Sequence, residues 1–93
     1  MHLLKELCEA SGIPGREERI RAIVRREFET IVDDIAVDAM GNMICTKHVP
    51  GAKKLIIAAH MDEIGFIVSY IDDNGFVFFH TLGGFDPKTL TSQ

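Results

Sequence analysis

His60 and Asp62 are the residues of this chain best placed to do chemistry. They lie in Ala59-His60-Met61-Asp62-Glu63-Ile64, at the end of the apolar run Lys54-Leu55-Ile56-Ile57-Ala58-Ala59, which reads as a buried strand. In open α/β sheets ligands collect just beyond the carboxyl ends of strands. Side chains two apart on an extended segment project the same way. Asp62 can therefore lie beside the His60 ring, hold the proton of one nitrogen and leave the other aimed at a metal. Glu63, one residue on, points to the other side. A bare His-x-Asp pair also fits a strand-end histidine held by a carboxylate for structure alone, so context has to decide. A catalytic zinc site takes about three protein ligands and an open position, and His60 supplies one. His2, His48 and His80 belong to separate elements, and no nucleophile stands near His60 in a recognisable elbow. Cys8 and Cys45 show no metal-type spacing and read as buried free thiols.

The elements that must position the pair follow from periodicity. Leu3, Leu4, Leu7 and Ala10 recur at helical spacing over residues 2–10, and Gly12 is a stop signal. Ser11-Gly12-Ile13-Pro14-Gly15 is a turn-rich link. A second helix is predicted over 16–31, with Ile20, Ile23, Val24, Phe28 and Ile31 as its buried stripe. Glu17 and Glu18 suit the positive end of its dipole. The period then changes to two. Ile35 and Val37 alternate with Ala36 and Asp38, Met40-Gly41-Asn42 makes a turn, and Met43–Lys47 returns as an antiparallel strand. After Pro50-Gly51 comes the continuous apolar run, a pattern of strands covered on both faces. Gly65–Ile71 and Phe76–His80 flank Asp72-Asp73-Asn74-Gly75, in which Asn-Gly supplies the positive φ angles of a tight hairpin turn. Gly83-Gly84 reads as a plain turn, and Thr89–Gln93 closes no element. Two helices cannot cover both faces of such a sheet, so the fold class is α/β with an incomplete fold: two N-terminal helices, an antiparallel hairpin, a buried sheet strand, then further β structure.

Composition narrows the function classes. The chain has 93 residues, 46% of them hydrophobic, which fits one small folded unit. Its net charge of −4 disfavours nucleic acid as a partner. The arginines at 16, 19, 21, 25 and 26 are interleaved with Glu17, Glu18, Glu27 and Glu29 and read as a solvated, ion-paired helix face. The start is too short and too charged for a signal peptide, and no apolar stretch approaches a membrane span. The expected setting is the cytoplasm, with no membrane partner.

Four blocks, taken together, are specific. Leu7–Glu18, Val37–Asn42, Ala58–Phe66 and Leu82–Pro87 resemble, in order and across nearly the whole chain, the opening of the tetrahedral (TET) metalloaminopeptidases. Members of that family carry names such as glutamyl aminopeptidase, deblocking aminopeptidase and endoglucanase. The resemblance implies a dinuclear-metal exopeptidase, with two divalent ions, zinc or cobalt, per complete active site. It implies that His60 is the first metal ligand and that Asp62 orients it and tunes the metal site. The remaining ligands and the general-base glutamate would lie downstream of this segment. It further implies that 1–65 is the N-terminal part of the catalytic domain and that 66–93 begins an inserted β-rich dimerisation domain. The complete protein would be a large homo-oligomer acting on peptides, and the 93-residue chain alone would be inactive. Two other readings stay open: a non-enzymatic assembly or interaction module using exposed strand edges, and a hydrolase of another substrate class, such as a polysaccharide, on the same scaffold.

Overall fold

A computed structural model describes residues 2–91. The element order is helix α1 (His2–Glu9), helix α2 (Glu18–Phe28), strands β1 (Asp34–Val37), β2 (Met43–Thr46), β3 (Gly65–Ile71) and β4 (Val77–Leu82), then a short 3-10 helix, Pro87–Thr91. The α/β mixture and its order agree with the sequence reading. The closing 3-10 helix differs from it, because Asp86 nucleates a turn where no element was expected. Its carboxylate accepts the Lys88 amide at 2.9 Å and its carbonyl accepts the Thr89 amide and hydroxyl. Ser92 and Gln93 lie outside the described residues.

Helix α2 is shorter than its apolar period. Ile31 falls beyond it and is exposed, and of the predicted stripe only Ile20 is fully buried, at 5% exposure. Helices α1 and α2 are tied by Arg26, which makes paired 2.8 Å bonds to the two Glu6 oxygens and also bonds Glu27. The guanidinium holds the Glu6 carboxyl below its ordinary pKa.

The two β hairpins use the same turn chemistry. In β1–β2, Asp38 Oδ1 accepts the amides of Met40 and Asn42, both at 2.9 Å, and Gly41 takes φ +87°. In β3–β4, Asp72 Oδ1 accepts the amides of Asn74 and Phe76, again at 2.9 Å, and Gly75 takes φ +87°. In each the aspartate amide bonds the carbonyl four residues on, at 3.0 Å. These are three-residue loops with a single left-handed glycine. Asn74 keeps a negative φ, so the two-residue Asn-Gly turn expected from sequence is not formed. Strand β3 also carries a bulge, since Val68 pairs with Phe79 but Tyr70 with Phe78. The Ser69 hydroxyl donates to the Phe78 carbonyl at 3.1 Å there.

The buried strand predicted over Lys54–Ala59 is the main correction. Among the described residues this run pairs with nothing, and Leu55, Ile56 and Ile57 are 84, 88 and 89% exposed. A continuous apolar run becomes a strand only where neighbours on both edges take its amides and carbonyls, and layers on both faces take its side chains. The two sheets are separate two-stranded hairpins, and neither reaches it. The thiol expectation changes too. Both cysteines are free, but neither is fully buried: Cys45 on β2 is half-buried, and Cys8 is exposed on α1, none of whose residues is fully buried.

Candidate active site

His60 and Asp62 do come together. His60 Nδ1 lies 3.0 Å from the Asp62 main-chain carbonyl and 3.3 Å from Asp62 Oδ1. A carbonyl oxygen only accepts, so Nδ1 carries the proton and donates it. The other ring nitrogen, Nε2, is then left with a free lone pair, the form in which imidazole binds a metal. The sequence reading assigned this orienting role to the carboxylate. The structure brings the main-chain carbonyl closer and places the carboxylate beside it.

The pair stands between two hollows. One, of about 140 Å³, is bounded by Glu17 and by the Met40-Gly41-Asn42 turn opposite residues 59–62. The other, of about 440 Å³, is more apolar and is floored by Leu7, Ile20 and Val24 between the helices. The His60 ring is solvent-facing, at 86% exposure, so its free nitrogen is open to a ligand.

Each wall has a local cause. Glu17 is the N-cap residue of α2, its carbonyl accepting the Arg21 amide at 2.9 Å, but its side chain makes no capping bond. Its carboxylate accepts the Gly15 amide and pairs with Arg21 at 3.5 Å. The Arg21 guanidinium packs under the hairpin turn so closely that a Cβ on Gly41 would stand 2.9 Å from it. Gly41 is favoured by its left-handed φ, and a side chain there would also have to push the Arg21 guanidinium aside. The turn itself is held by Asp38, whose carboxyl is kept below its usual pKa by the Asn42 side chain, the Asn42 amide and the Met40 amide.

Glu63 is engaged away from the pair. Its amide donates to the Gly12 carbonyl at 2.8 Å, and its Oε1 accepts the Gly12 amide at 3.3 Å. This double bond across the chain seats residues 60–63 on the link between the helices. Gly12 must be small there, since a Cβ would lie 2.8 Å from Ile20 Cγ2. The contributions of Glu17, of the 40–42 turn and of Gly12 were not assigned from sequence. The only available signal was that all of them fall inside the resembling blocks.

Among the described residues no three His, Cys, Asp or Glu side chains converge as a metal cage. His2 lies on α1, His48 just after β2 and His80 on β4, and none of them forms a group of three potential ligands with His60 among the described residues. His60 fits a metal as one ligand by the commitment of its Nδ1 to Asp62, and the described residues gather no group of three such donors around it.

The family model for M42 glutamyl aminopeptidase matches residues 41–93. A protein of Acetivibrio thermocellus that carries an aminopeptidase name is 49% identical over 82 residues, covering 88% of this chain and 24% of its own length. The lysyl aminopeptidase of Pyrococcus furiosus is 38% identical over 93 residues, covering 98% and 26%. Among solved structures, a TET aminopeptidase from a marine sediment thaumarchaeon superposes with a TM-score of 0.87 at 36% identity, over 95% of this chain and 25% of that one. PhTET1-12s, a dodecamer in its asymmetric unit, superposes at 0.77 with 40% identity, over 91% and 26%. The chain thus spans about a quarter of the length of the relatives it matches.

Proposed function

The chain belongs to the M42 glutamyl aminopeptidase family, and from that premise we propose that it forms the His60–Asp62 part of a metal-dependent aminopeptidase centre that removes N-terminal residues from peptides. The observation that carries the reading is the contact of His60 Nδ1 with the Asp62 carbonyl at 3.0 Å, from which the tautomer follows. The Nδ1–H of His60 is committed to Asp62, so Nε2 is prepared as a metal ligand. His60 would hold one divalent ion, zinc or cobalt, and Asp62 would fix the ring. When bound, such an ion lowers the pKa of a coordinated water and polarises the scissile carbonyl. This chain's own part is narrower: it orients one ligand, leaves it open to solvent, and walls the cleft beside it with Glu17 and the 40–42 turn.

The whole activity, on this reading, needs a polypeptide of the relatives' length, because the described residues gather no three metal-ligating side chains. The dodecameric solved relative supports a homo-oligomer as the working form. The largely exposed β3–β4 hairpin suits a dimerisation domain beginning within 66–93, with 1–65 belonging to the catalytic one. The test is a chimera in which this chain replaces the matching segment of the Pyrococcus furiosus lysyl aminopeptidase. The chimera is expected to hydrolyse aminoacyl anilides, and His60→Ala within it to be inactive and short of one metal equivalent by atomic emission. Equal activity and metal content with and without His60 would sink the proposal.

A further inference from the structure

We infer that the Asp62–Glu63 peptide, pinned to Gly12, is the device that sets the His60 tautomer, which makes Gly12 and Glu63 positioning residues for the metal-binding ring. The inference rests on the reading of His60 as a ligand only for its purpose; the device is visible without a metal. A trans peptide is planar, with its C=O and N–H pointing in opposite directions, and the chain contains no cis peptide among the described residues. The oxygen that accepts from His60 Nδ1 is the Asp62 carbonyl. The N–H on the other side of that same plane is that of Glu63, and it donates to the Gly12 carbonyl at 2.8 Å. Fixing the N–H on Gly12 therefore aims the carbonyl at the ring.

The Glu63 side chain completes the lock. Its Oε1 takes the Gly12 amide at 3.3 Å, so Gly12 is held by both its donor and its acceptor. The need for such a lock is local. Residues 59–64 belong to no strand pair, so no ladder orients their peptides. Gly12 is itself buried and fixed against Ile20, the one fully buried apolar side chain among the described residues. The orientation of an exposed imidazole is thereby referred to the most rigid point of the helical pair. A Gln at 63 keeps the accepting Oε1 without the charge, whereas an Asp keeps the charge on a side chain one methylene too short to reach.

The experiment reads the ring nitrogens of His60 by long-range 15N NMR on the metal-free chain, at a pH where the imidazole is neutral. The wild-type chain is expected to show one protonated and one bare nitrogen with widely separated shifts. Glu63→Gln should preserve that separation. Glu63→Asp removes the Oε1 acceptor and leaves the 2.8 Å amide bond, so it should move the two shifts partway toward their mean, as should Glu63→Ala where it remains folded by circular dichroism. Fixed-tautomer shifts in Glu63→Asp, with the Gly12 amide signal moved to show that its bond is lost, would overturn the inference. So would collapse in Glu63→Gln, which would make charge and not the acceptor the cause. Because no metal or turnover is involved, failure of the aminopeptidase reading leaves this result unaffected, and the reverse holds as well.

Discussion

His60 and Asp62 divide their labour according to which atoms each presents. On the proposed reading His60 offers Nε2 directly to the ion, so His60→Ala would delete that bond, and a complete enzyme carrying it is expected to lose activity together with one metal equivalent. Asp62 acts through the ring. In Asp62→Asn the main-chain carbonyl, already the closer partner at 3.0 Å, remains and holds the tautomer. Metal is then largely retained, while the ring loses the carboxylate that stands 3.3 Å from its Nδ1. A drop in kcat of about 10–100-fold is the expected outcome. Steady-state kinetics on aminoacyl anilides with parallel metal analysis separates the two. Asp62→Asn losing metal as completely as His60→Ala would show that the carbonyl does not suffice. This pair was legible in the sequence because a spacing of two on a locally extended segment is enough to bring two side chains together. The part played by the carbonyl was not, because main-chain orientation depends on a bond made 51 residues away.

The β1–β2 hairpin that walls the cleft is held by an aspartate at each end. Asp38 closes the turn, while Asp33 at the open end accepts the His48 amide at 2.6 Å and Lys47 Nζ at 3.0 Å. Both carboxyls are depressed, Asp33 first by the His48 amide and then by Lys47, Asp38 first by the Asn42 side chain. A carboxyl whose folded pKa is lowered stabilises the fold at pH above its unfolded value of about 3.9, and that contribution disappears as pH falls through the lower folded value. The hairpin amides of Met40, Asn42 and His48 are expected to lose hydrogen-exchange protection as pH is taken down through that acidic range, and to keep it between about pH 5 and 7. Asp38→Ala should lose the Met40 and Asn42 protection at all pH values, while Asp38→Asn, which retains an acceptor oxygen, keeps most of it without the acid dependence. An unchanged profile in Asp38→Ala would remove the carboxylate as the organiser of the turn. The helical link yields a separate expectation. Gly12→Ala forces a Cβ against Ile20 Cγ2 at 2.8 Å, with Met61 O behind it at 3.6 Å. The variant should be destabilised by about 1–3 kcal/mol in urea. Hairpins and helices were readable because their period and turn residues are local. The strand over 54–59 was misread because its pattern specifies burial without naming what does the burying. The two positive φ values expected of Asn-Gly became one because Asp72 captures the amides on either side of Gly75.

The chain as a whole is too open to satisfy its own apolar surface. Its radius of gyration is 17.8 Å, against about 12 Å for a compact chain of this length, and its extents are 64 × 32 × 22 Å. Leu55, Ile56 and Ile57 face solvent in a row with unpaired main chain, and Phe66, Phe78 and Phe79 add a second apolar area on the β3–β4 hairpin. Ring contacts there, Phe66 to Phe79 at 4.6 Å and to Phe85 at 5.7 Å, stiffen the hairpin and still leave it exposed. Unpaired apolar backbone recruits another chain, because pairing satisfies its amides and carbonyls while removing the side chains from water. The 93-residue chain is therefore expected to self-associate, with the mean mass from light scattering rising across a concentration series. Ile56→Lys with Ile57→Lys should lower that mass at every concentration and leave the helical circular dichroism unchanged, since neither residue touches α1 or α2 through any bond of the fold. The paired substitution separates the two apolar areas: association that persists undiminished would assign it to the β3–β4 hairpin. A monodisperse monomer of the unsubstituted chain with a single cooperative melt would mean that residues 54–57 find cover within the chain itself, and the open arrangement described here would be wrong.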